Sequence, residues 1–208
     1  MIAIVDYGVG NLFSLRRSLE AIGQEVIVTG KAEELRRVDR LILPGVGAFA
    51  DAAQKLRESG LDTVVTEEAA RGKPLLGICL GMQLLFERSY EFGEYQGLGL
   101  IPGVIRPIAE VIPPGLKIPH IGWNGLLFPE DEPRHPLMAG LRSGDCVYFV
   151  HSFSARNCEG YVIASTEYGG LLTAAVAKGN VVGFQFHPEK SGPVGLGLLR
   201  TFCEEGFQ

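Results

Sequence analysis

The clearest chemical signal in the sequence is Cys79, which lies between Gly77 and Gly81 in the segment GICLG. A fully apolar run at residues 74–78 precedes it, and a helix is expected to begin at Leu80. A nucleophile with a glycine two residues away on each side, between a strand and a helix, is typical of a nucleophile elbow. The helix N-terminus there favours a thiolate, and its backbone amides can bind a developing oxyanion.

A candidate general base follows a second apolar run, residues 181–186, which leads into His187, Pro188 and Glu189. A free cysteine is mostly protonated at neutral pH, so Cys79 needs a base. His187 is suited to accept the thiol proton and return it to a leaving amine, and Glu189 is suited to fix the tautomer of the ring. Because open α/β sheets bind ligands at the carboxyl ends of their strands, we expect these side chains to meet there.

The other histidines carry weaker signals. His151 also follows an apolar strand, but it has no nearby carboxylate, so we interpret it as a pocket or core residue. His120 and His135 lie in proline-rich stretches and are expected to be structural or solvated. Cys146, His151 and Cys158 lack the close spacing of metal ligands, so no metal site is expected.

Two glycine-rich loops follow predicted strands. The loop at residues 44–48, PGVGA, can bring backbone amides against a substrate, and with the Leu80 amide it would form a two-donor oxyanion hole. An ordinary turn is the alternative for this loop. Residues 8–13 partly match a dinucleotide-binding loop, but Phe13 occupies the third glycine position. We therefore expect no nucleotide cofactor.

The elements that must position these residues change in character along the chain. In the first half, apolar strands alternate with helical patterns, which predicts a parallel sheet covered on both faces. The predicted strands there are Ile2–Val5, 25–28, 41–43 and 74–78, and the predicted helices are 12–22, 33–38, 49–58 and 63–71. Short strands dominate the second half, at 121–128, 146–150, 161–165, 172–177 and 181–186, before a closing helix. The expected fold is α/β, with a mostly parallel central sheet flanked by helices on both faces and an antiparallel β insertion.

Length and composition exclude several classes of protein. The 208 residues suit a single domain spanning 1–208 at roughly 150 residues per domain. Nineteen Lys and Arg against 24 Asp and Glu give a net charge of −5, which argues against nucleic acid as a partner. Uncharged stretches fall short of the roughly 20 residues of a membrane span, and the N-terminus lacks a secretory signal. Four irregularly spaced cysteines indicate reduced thiols and a cytoplasmic location.

Three segments together resemble the class I glutamine amidotransferases: GICLGMQ at residues 77–83, PGVG at 44–47 and FHPE at 186–189. The resemblance extends over essentially the whole chain. It implies that Cys79 attacks the side-chain amide of glutamine, giving a γ-glutamyl thioester and ammonia, while His187 transfers the proton. It also implies a glutamine pocket, and no cofactor. The residues assigned to that pocket are Gly47, Leu80, Gln83, Glu91, Ser152 and Phe153.

Further segments resemble one branch of this family, which works in histidine biosynthesis. They are DYGVGN at residues 6–11, Met82 in place of a histidine before Gln83, PHIGWN at 119–124, and KS at 190–191. The resemblance implies a heterodimer in which a (β/α)₈-barrel cyclase receives the ammonia, and low activity in its absence. The residues assigned to the partner interface are Asn11, Trp123, Asn124, Tyr148 and Lys190. For Trp123 a position in the core is the alternative.

Three other interpretations share some of these residues. A hydrolase of peptides or esters would use the same elbow and base without a glutamine pocket. In a non-catalytic regulatory α/β module, Cys79 would be structural. The third is another amidotransferase branch, which supplies ammonia for anthranilate or a purine.

Overall fold

The first half of the chain folds as the alternating pattern predicts. The structure is a computed structural model that describes residues 1–129 and 133–204. The strands of this half are β1 (Ile2–Val5), β2 (Val26–Thr29), β3 (Arg40–Leu43) and β4 (Leu75–Ile78). The helices are α1 (Leu12–Ala21), α2 (Ala32–Arg37), α3 (Phe49–Glu58), α4 (Leu61–Ala70) and α5 (Leu80–Leu84).

The second half consists mainly of strands. They are β5 (Phe86–Ser89), β6 (Tyr95–Gln96), β7 (Ile101–Pro107), β8 (His120–Leu127), β9 (Cys146–His151), β10 (Phe153–Arg156), β11 (Val162–Glu167), β12 (Leu171–Lys178) and β13 (Val181–Phe184). Helix α6 (Gly192–Glu204) follows. In the part of the chain that the structure describes, every helix is too short or too polar to cross a membrane.

The strands form one large mixed sheet and one small sheet. The large sheet has nine strands in the order β2-β1-β3-β4-β13-β12-β11-β8-β9. The strands from β2 to β13 in this order are parallel, and the remaining pairs are antiparallel. The small sheet has the order β10-β7-β5-β6. The predicted α/β fold is confirmed, and most of the antiparallel strands extend the central sheet.

Helices cover both faces of the parallel part of the large sheet, also as predicted. Alternate side chains of β1 enter opposite cores, because successive residues of a strand point to opposite faces. Ala3 and Val5 pack in a core that includes α3 and α4, whereas Ile2 and Ile4 pack in a core that includes α1 and α6. The strands β1 and β4 are buried along their whole length, which explains their unbroken apolar sequences.

The sequence did not predict the small sheet. Strand β5 carries the exposed charged pair Glu87 and Arg88, and β6 is two exposed residues. Strand β7 contains Pro102 and Gly103, which are unfavourable in strand interiors. None of these segments therefore has the apolar alternation that identifies a strand. The predicted strand at 181–186 is also too long, since β13 ends at Phe184.

Helix α5 lies directly against β4, and this contact requires Gly77. A Cβ at Gly77 would lie 2.7 Å from the Gly81 carbonyl oxygen and 2.8 Å from the Met82 Cα. Both of these atoms belong to the backbone of α5, so a side chain at residue 77 cannot be accommodated by a rotamer change. The absence of a side chain therefore sets how closely α5 approaches the sheet.

We expect Gly77→Ala to destabilise the protein by about 1–3 kcal/mol, because the added methyl group overpacks the contact between β4 and α5. The matched control is Gly197→Ala in α6, where a Cβ would meet no atom within 4 Å. This control should be neutral or stabilise the helix by up to about 1 kcal/mol. Urea unfolding of both variants measures the difference, and equal free energies of unfolding would contradict the packing argument.

Candidate active site

Cys79 occupies the sharp turn between β4 and α5. Its backbone has φ 54° and ψ −111°, a conformation that a non-glycine residue seldom adopts. Its amide donates a hydrogen bond to the carbonyl oxygen of Phe184 on β13, 2.7 Å away. A Cβ at Gly81 would collide with the Leu43 carbonyl oxygen, so neither glycine that flanks Cys79 can carry a side chain. The turn therefore has the geometry of a nucleophile elbow.

His187 lies at the same edge of the sheet, because β13 is the parallel neighbour of β4. Its amide donates to the Tyr148 carbonyl oxygen of β9 at 2.9 Å. The Ser191 hydroxyl donates to the His187 carbonyl oxygen at 2.6 Å and accepts from the Tyr148 amide at 2.9 Å. The backbone of His187 is thus held between β9 and the 3₁₀ turn Pro188–Lys190.

Cys79, His187 and Glu189 form a single cluster. His187 Nδ1 lies 2.8 Å from Glu189 Oε1, and each of these two side chains is 4% exposed. Cys79 lines the same cavity as His187 and is close enough to raise the pKa of its ring. The second carboxylate oxygen, Glu189 Oε2, is buried and has no hydrogen-bond partner among the described residues. Among the described residues, the imidazole of His187 is therefore the hydrogen-bond partner of this carboxylate.

The cluster favours a protonated imidazole. Burial alone would lower the pKa of His187, but the hydrogen bonds with Cys79 and Glu189 and the negative charges of both groups together raise it to about 9. At neutral pH the ring of His187 is therefore an imidazolium. A neighbouring His⁺ is one of the environments that stabilise a cysteine thiolate.

The cluster opens into a cavity of about 360 Å³, and Cys79 and His187 form part of its wall. All the residues that the sequence assigned to a glutamine pocket also line this cavity: Gly47, Leu80, Gln83, Glu91, Ser152 and Phe153. The cavity is also lined by residues that were not predicted from the sequence as substrate-binding: Val46, Phe92, Pro119, Val150 and His151.

Glu91 is the carboxylate in the wall of this cavity. Its Oε2 accepts a hydrogen bond from the amide of Phe49, the first residue of α3, at 2.8 Å. Burial raises the pKa of Glu91, against the smaller opposite effect of that hydrogen bond. A cation bound in the cavity would therefore find a partly desolvated carboxylate at its wall.

The two glycine-rich loops differ in position. Val46 and Gly47 of the 44–48 loop line the cavity, and Tyr7 donates a hydrogen bond to the Pro44 carbonyl oxygen at 2.7 Å. Burial and the nearby charge of Cys79 raise the pKa of Tyr7. The 8–13 loop connects β1 to α1, and Asn11 caps that helix by accepting from the Ser14 amide at 3.4 Å.

The remaining histidines are structural. His151 lines the cavity, in agreement with its interpretation as a pocket residue, and it pairs with the buried His120. His135 accepts a hydrogen bond from the Leu137 amide and caps a short 3₁₀ turn. Within residues 1–129 and 133–204, no three His, Cys, Asp or Glu side chains are grouped as metal ligands, and all four cysteines are free.

Three of the residues assigned to a partner interface form one surface cluster. The rings of Trp123 and Tyr148 pack edge to face with centroids 6.0 Å apart, and Lys190 Nζ lies 5.8 Å from the centre of the Tyr148 ring. Trp123 is 52% exposed, so the alternative that placed it in the core is wrong. Asn11 is exposed, and Asn124 donates to the Glu167 carbonyl oxygen at 2.7 Å.

The comparisons with known proteins agree with this geometry. The family model "Glutamine amidotransferase class-I" matches residues 3–205. The chain belongs to the class I glutamine amidotransferases. It is 47% identical over 205 residues to imidazole glycerol phosphate synthase subunit HisH of Oceanobacillus iheyensis, a match that covers 98% of both chains. It is also 51% identical over 202 residues to the HisH subunit of Bacillus cereus strain G9842, covering 97% of this chain and 93% of that one.

Solved structures share the fold at lower identity. A crystal structure described as glutamine amidotransferase superposes with a TM-score of 0.75 and 24% identity, covering 98% of this chain and 97% of the other. The structure of PurLQS from Thermotoga maritima gives a TM-score of 0.74 and 21% identity, covering 97% and 96%. At this level of identity the likeness concerns the fold alone.

The electrostatics of the cluster predict an unusual titration of His187. We expect its imidazole to titrate near pH 9, above the ordinary value of about 6.5 for a histidine. Cys79→Ala and Glu189→Gln should each lower this midpoint, because each removes a hydrogen bond and a negative charge that favour the imidazolium. NMR titration of the ring protons measures the midpoint of His187 in each protein.

His135 serves as the internal control of that titration. Burial lowers its pKa below the ordinary value, and its environment does not include the cluster, so neither substitution should move it. A His187 midpoint between pH 6 and 7 in the unsubstituted protein and in both variants would contradict the assignment of charges.

Proposed function

We propose that the chain is the glutaminase subunit of imidazole glycerol phosphate synthase. It hydrolyses glutamine to glutamate and ammonia through Cys79, His187 and Glu189, and delivers the ammonia to a cyclase subunit in histidine biosynthesis. The observation that carries the proposal is a nucleophile–imidazole–carboxylate cluster opening into a cavity of about 360 Å³. The HisH names of relatives that match nearly the whole chain support the same conclusion.

In the first half-reaction, the sulfur of Cys79 attacks the side-chain amide carbon of glutamine. The carbonyl oxygen becomes an oxyanion, for which the amides of Leu80 and of Gly47 in the 44–48 loop are the proposed donors. His187, protonated at the start, gives its proton to the amide nitrogen. The carbon–nitrogen bond then breaks, releasing ammonia and leaving a γ-glutamyl thioester on Cys79 and a neutral imidazole.

In the second half-reaction, the neutral imidazole of His187 activates water. It takes one proton from the water as the oxygen attacks the thioester carbon, and the oxyanion forms again in the same place. Breaking of the carbon–sulfur bond releases glutamate and restores the thiolate of Cys79 beside the imidazolium. Glu189 holds the ring orientation through both steps by its 2.8 Å contact with Nδ1. The reaction needs no metal or cofactor.

The wall of the cavity suits a free amino acid. Glu91 is a partly desolvated carboxylate, which the α-ammonium group of glutamine would stabilise in its charged form. Gln83, Ser152 and Phe153 supply side-chain or backbone polar groups around the rest of the substrate. In this proposal the pocket recognises both ends of glutamine, its ammonium group at Glu91 and its amide at Cys79.

The proposed partner is a cyclase of (β/α)₈-barrel fold that uses ammonia to form imidazole glycerol phosphate and AICAR. Ammonia released into water would be protonated and lost as a nucleophile, so direct transfer between subunits is favoured. The surface cluster of Trp123, Tyr148 and Lys190 suits an interface, since exposed aromatic residues and cations are common binding hot spots. Asn11 and Asn124 are the other proposed interface residues.

The cellular context follows from the same proposal. The family match from residue 3 to residue 205 supports one amidotransferase domain spanning the chain. The four free thiols suit a reducing compartment, so we place the protein in the cytoplasm.

Replacing the nucleophile tests the reaction. We expect Cys79→Ala to lower the rate of glutamate release from glutamine by at least about 10³-fold, because no other group at the site can form the thioester. Cys146→Ala, at an exposed thiol on β9, is the matched control and should keep the rate. Glutamate is measured with and without the cyclase, which should stimulate the unsubstituted protein. Ester hydrolysis without glutaminase activity, or equal rates with and without the cyclase, would contradict the proposal.

Replacing Trp123 tests the interface. We expect Trp123→Ala to weaken cyclase binding by about 10- to 100-fold, the range for losing an aromatic hot spot. Tyr95→Ala changes another partly exposed aromatic residue, on β6 in the small sheet, and should leave the affinity unaltered. Titration calorimetry gives both dissociation constants. Unchanged binding in the Trp123 variant would remove this cluster from the interface.

A further inference from the structure

Gln185 is a fully buried amide beside the nucleophile, and the reaction described above does not use it. It follows the last residue of β13, and its own amide donates to the Ala174 carbonyl oxygen at 2.9 Å. Its side-chain nitrogen lies 3.8 Å from Cys79 Sγ, within hydrogen-bonding distance of sulfur. Its side-chain oxygen lies 3.0 Å from the side-chain nitrogen of Gln83.

The orientation of these two amides follows from one backbone carbonyl. The Phe153 carbonyl oxygen can only accept hydrogen bonds, and it lies 3.4 Å from the side chain of Gln83, which must therefore present its nitrogen. The same nitrogen carries a second hydrogen, which is directed to Gln185. Gln185 must then present its oxygen to Gln83, and its nitrogen faces Cys79. Reversing either amide would set two acceptors or two donors against each other.

The same carbonyl also accepts a hydrogen bond from a buried pair of histidines, through His151. His151 Nδ1 lies 2.8 Å from the Phe153 carbonyl oxygen, so this nitrogen carries the proton. His151 Nε2 is then an acceptor, and it receives a hydrogen bond from His120 Nδ1 at 3.0 Å. Burial lowers the pKa of His151 to about 4, which keeps the ring neutral. A continuous chain of hydrogen bonds thus leads from His120 to the sulfur of Cys79.

We propose that Gln185 is a further catalytic residue, which donates a hydrogen bond to the thiolate of Cys79 in a direction fixed by Gln83 and the Phe153 carbonyl. A thiolate gains from an N–H donor, since a hydrogen bond to a charged group is stronger than one to a neutral group. The amide of Gln185 does not titrate, so it leaves the proton to His187. This inference rests on the proposed function, because it concerns the same nucleophile.

The test measures how readily the sulfur of Cys79 ionises, in the full chain and without substrate. The rate of alkylation of Cys79 by iodoacetamide is followed against pH, with the peptide containing Cys79 quantified by mass spectrometry. Gln185→Met keeps the side-chain volume but removes the N–H donor. We expect it to raise the alkylation midpoint by about one pH unit, the lower end of what a hydrogen bond to a charged group contributes.

Two further variants sharpen the test. Gln185→Glu replaces the donor by a carboxylate of the same shape and should raise the midpoint further. Gln83→Leu leaves Gln185 in place but removes the group that orients it, so it should also raise the midpoint if the proposed direction is correct. Gln96→Glu, in exposed β6, makes the same chemical change as Gln185→Glu away from the site and should not move the midpoint.

The outcomes separate this inference from the proposed function. A midpoint that is low in the unsubstituted protein and unmoved in folded Gln185 and Gln83 variants overturns the role of Gln185 alone. If Cys79 instead alkylates with the same pH profile as the exposed Cys146, the site has no activated thiol and the proposed function fails with it. Thermal unfolding identifies any variant that does not fold. The alkylation midpoints of the folded variants then decide the role of Gln185.

Discussion

The close contact between β4 and α5 is the constraint on which the rest of the site depends. Gly77 and Gly81 lack side chains, so the helix starts immediately after the strand and its backbone touches the sheet. Cys79 lies between these two glycines and has a positive φ of 54°. The strain at one residue is thus maintained by packing on both sides of it, and it presents the thiol at the rim of the sheet.

Sheet topology then brings a distant part of the chain to that thiol. Strand β13 pairs in parallel with β4, with Phe184 opposite Ile78, so both strands end at the same level. The residues that follow each strand are therefore neighbours, although the whole antiparallel part of the fold lies between them in sequence. That part returns to the site through β9, whose Tyr148 carbonyl oxygen holds the His187 amide. The single sheet is what makes the cluster possible.

The sequence predicts those parts of the site that depend on local rules. Glycines around Cys79, and an apolar strand that ends in His187 and Glu189, each have a direct structural meaning, and the parallel sheet follows from alternating apolar patterns. Gln185 has no such local signal in the sequence, since a single glutamine between two phenylalanines is typical of a strand. Its role depends on contacts with Gln83 and Cys79 that only the folded chain creates. The small sheet escaped prediction for a related reason, because its strands are charged, short or interrupted by Pro102.

His151 and His187 both line the cavity near the ends of strands. The partners of their Nδ1 atoms explain why only His187 is suited to be the base. His151 Nδ1 binds the Phe153 carbonyl oxygen, a neutral acceptor, and burial then keeps its pKa near 4. His187 Nδ1 binds Glu189, whose other oxygen has no partner among the described residues, and the charge of Glu189 raises the pKa of the ring. Burial disfavours both imidazolium ions, but only at His187 do a carboxylate and the sulfur outweigh it. Because both ring nitrogens of His151 already have partners, His120 and the Phe153 carbonyl oxygen, it does not compete for the proton of Cys79. The carboxylate of Glu189 is therefore the feature that makes His187 suited to be the base, whereas His151 only hydrogen-bonds in the wall of the cavity.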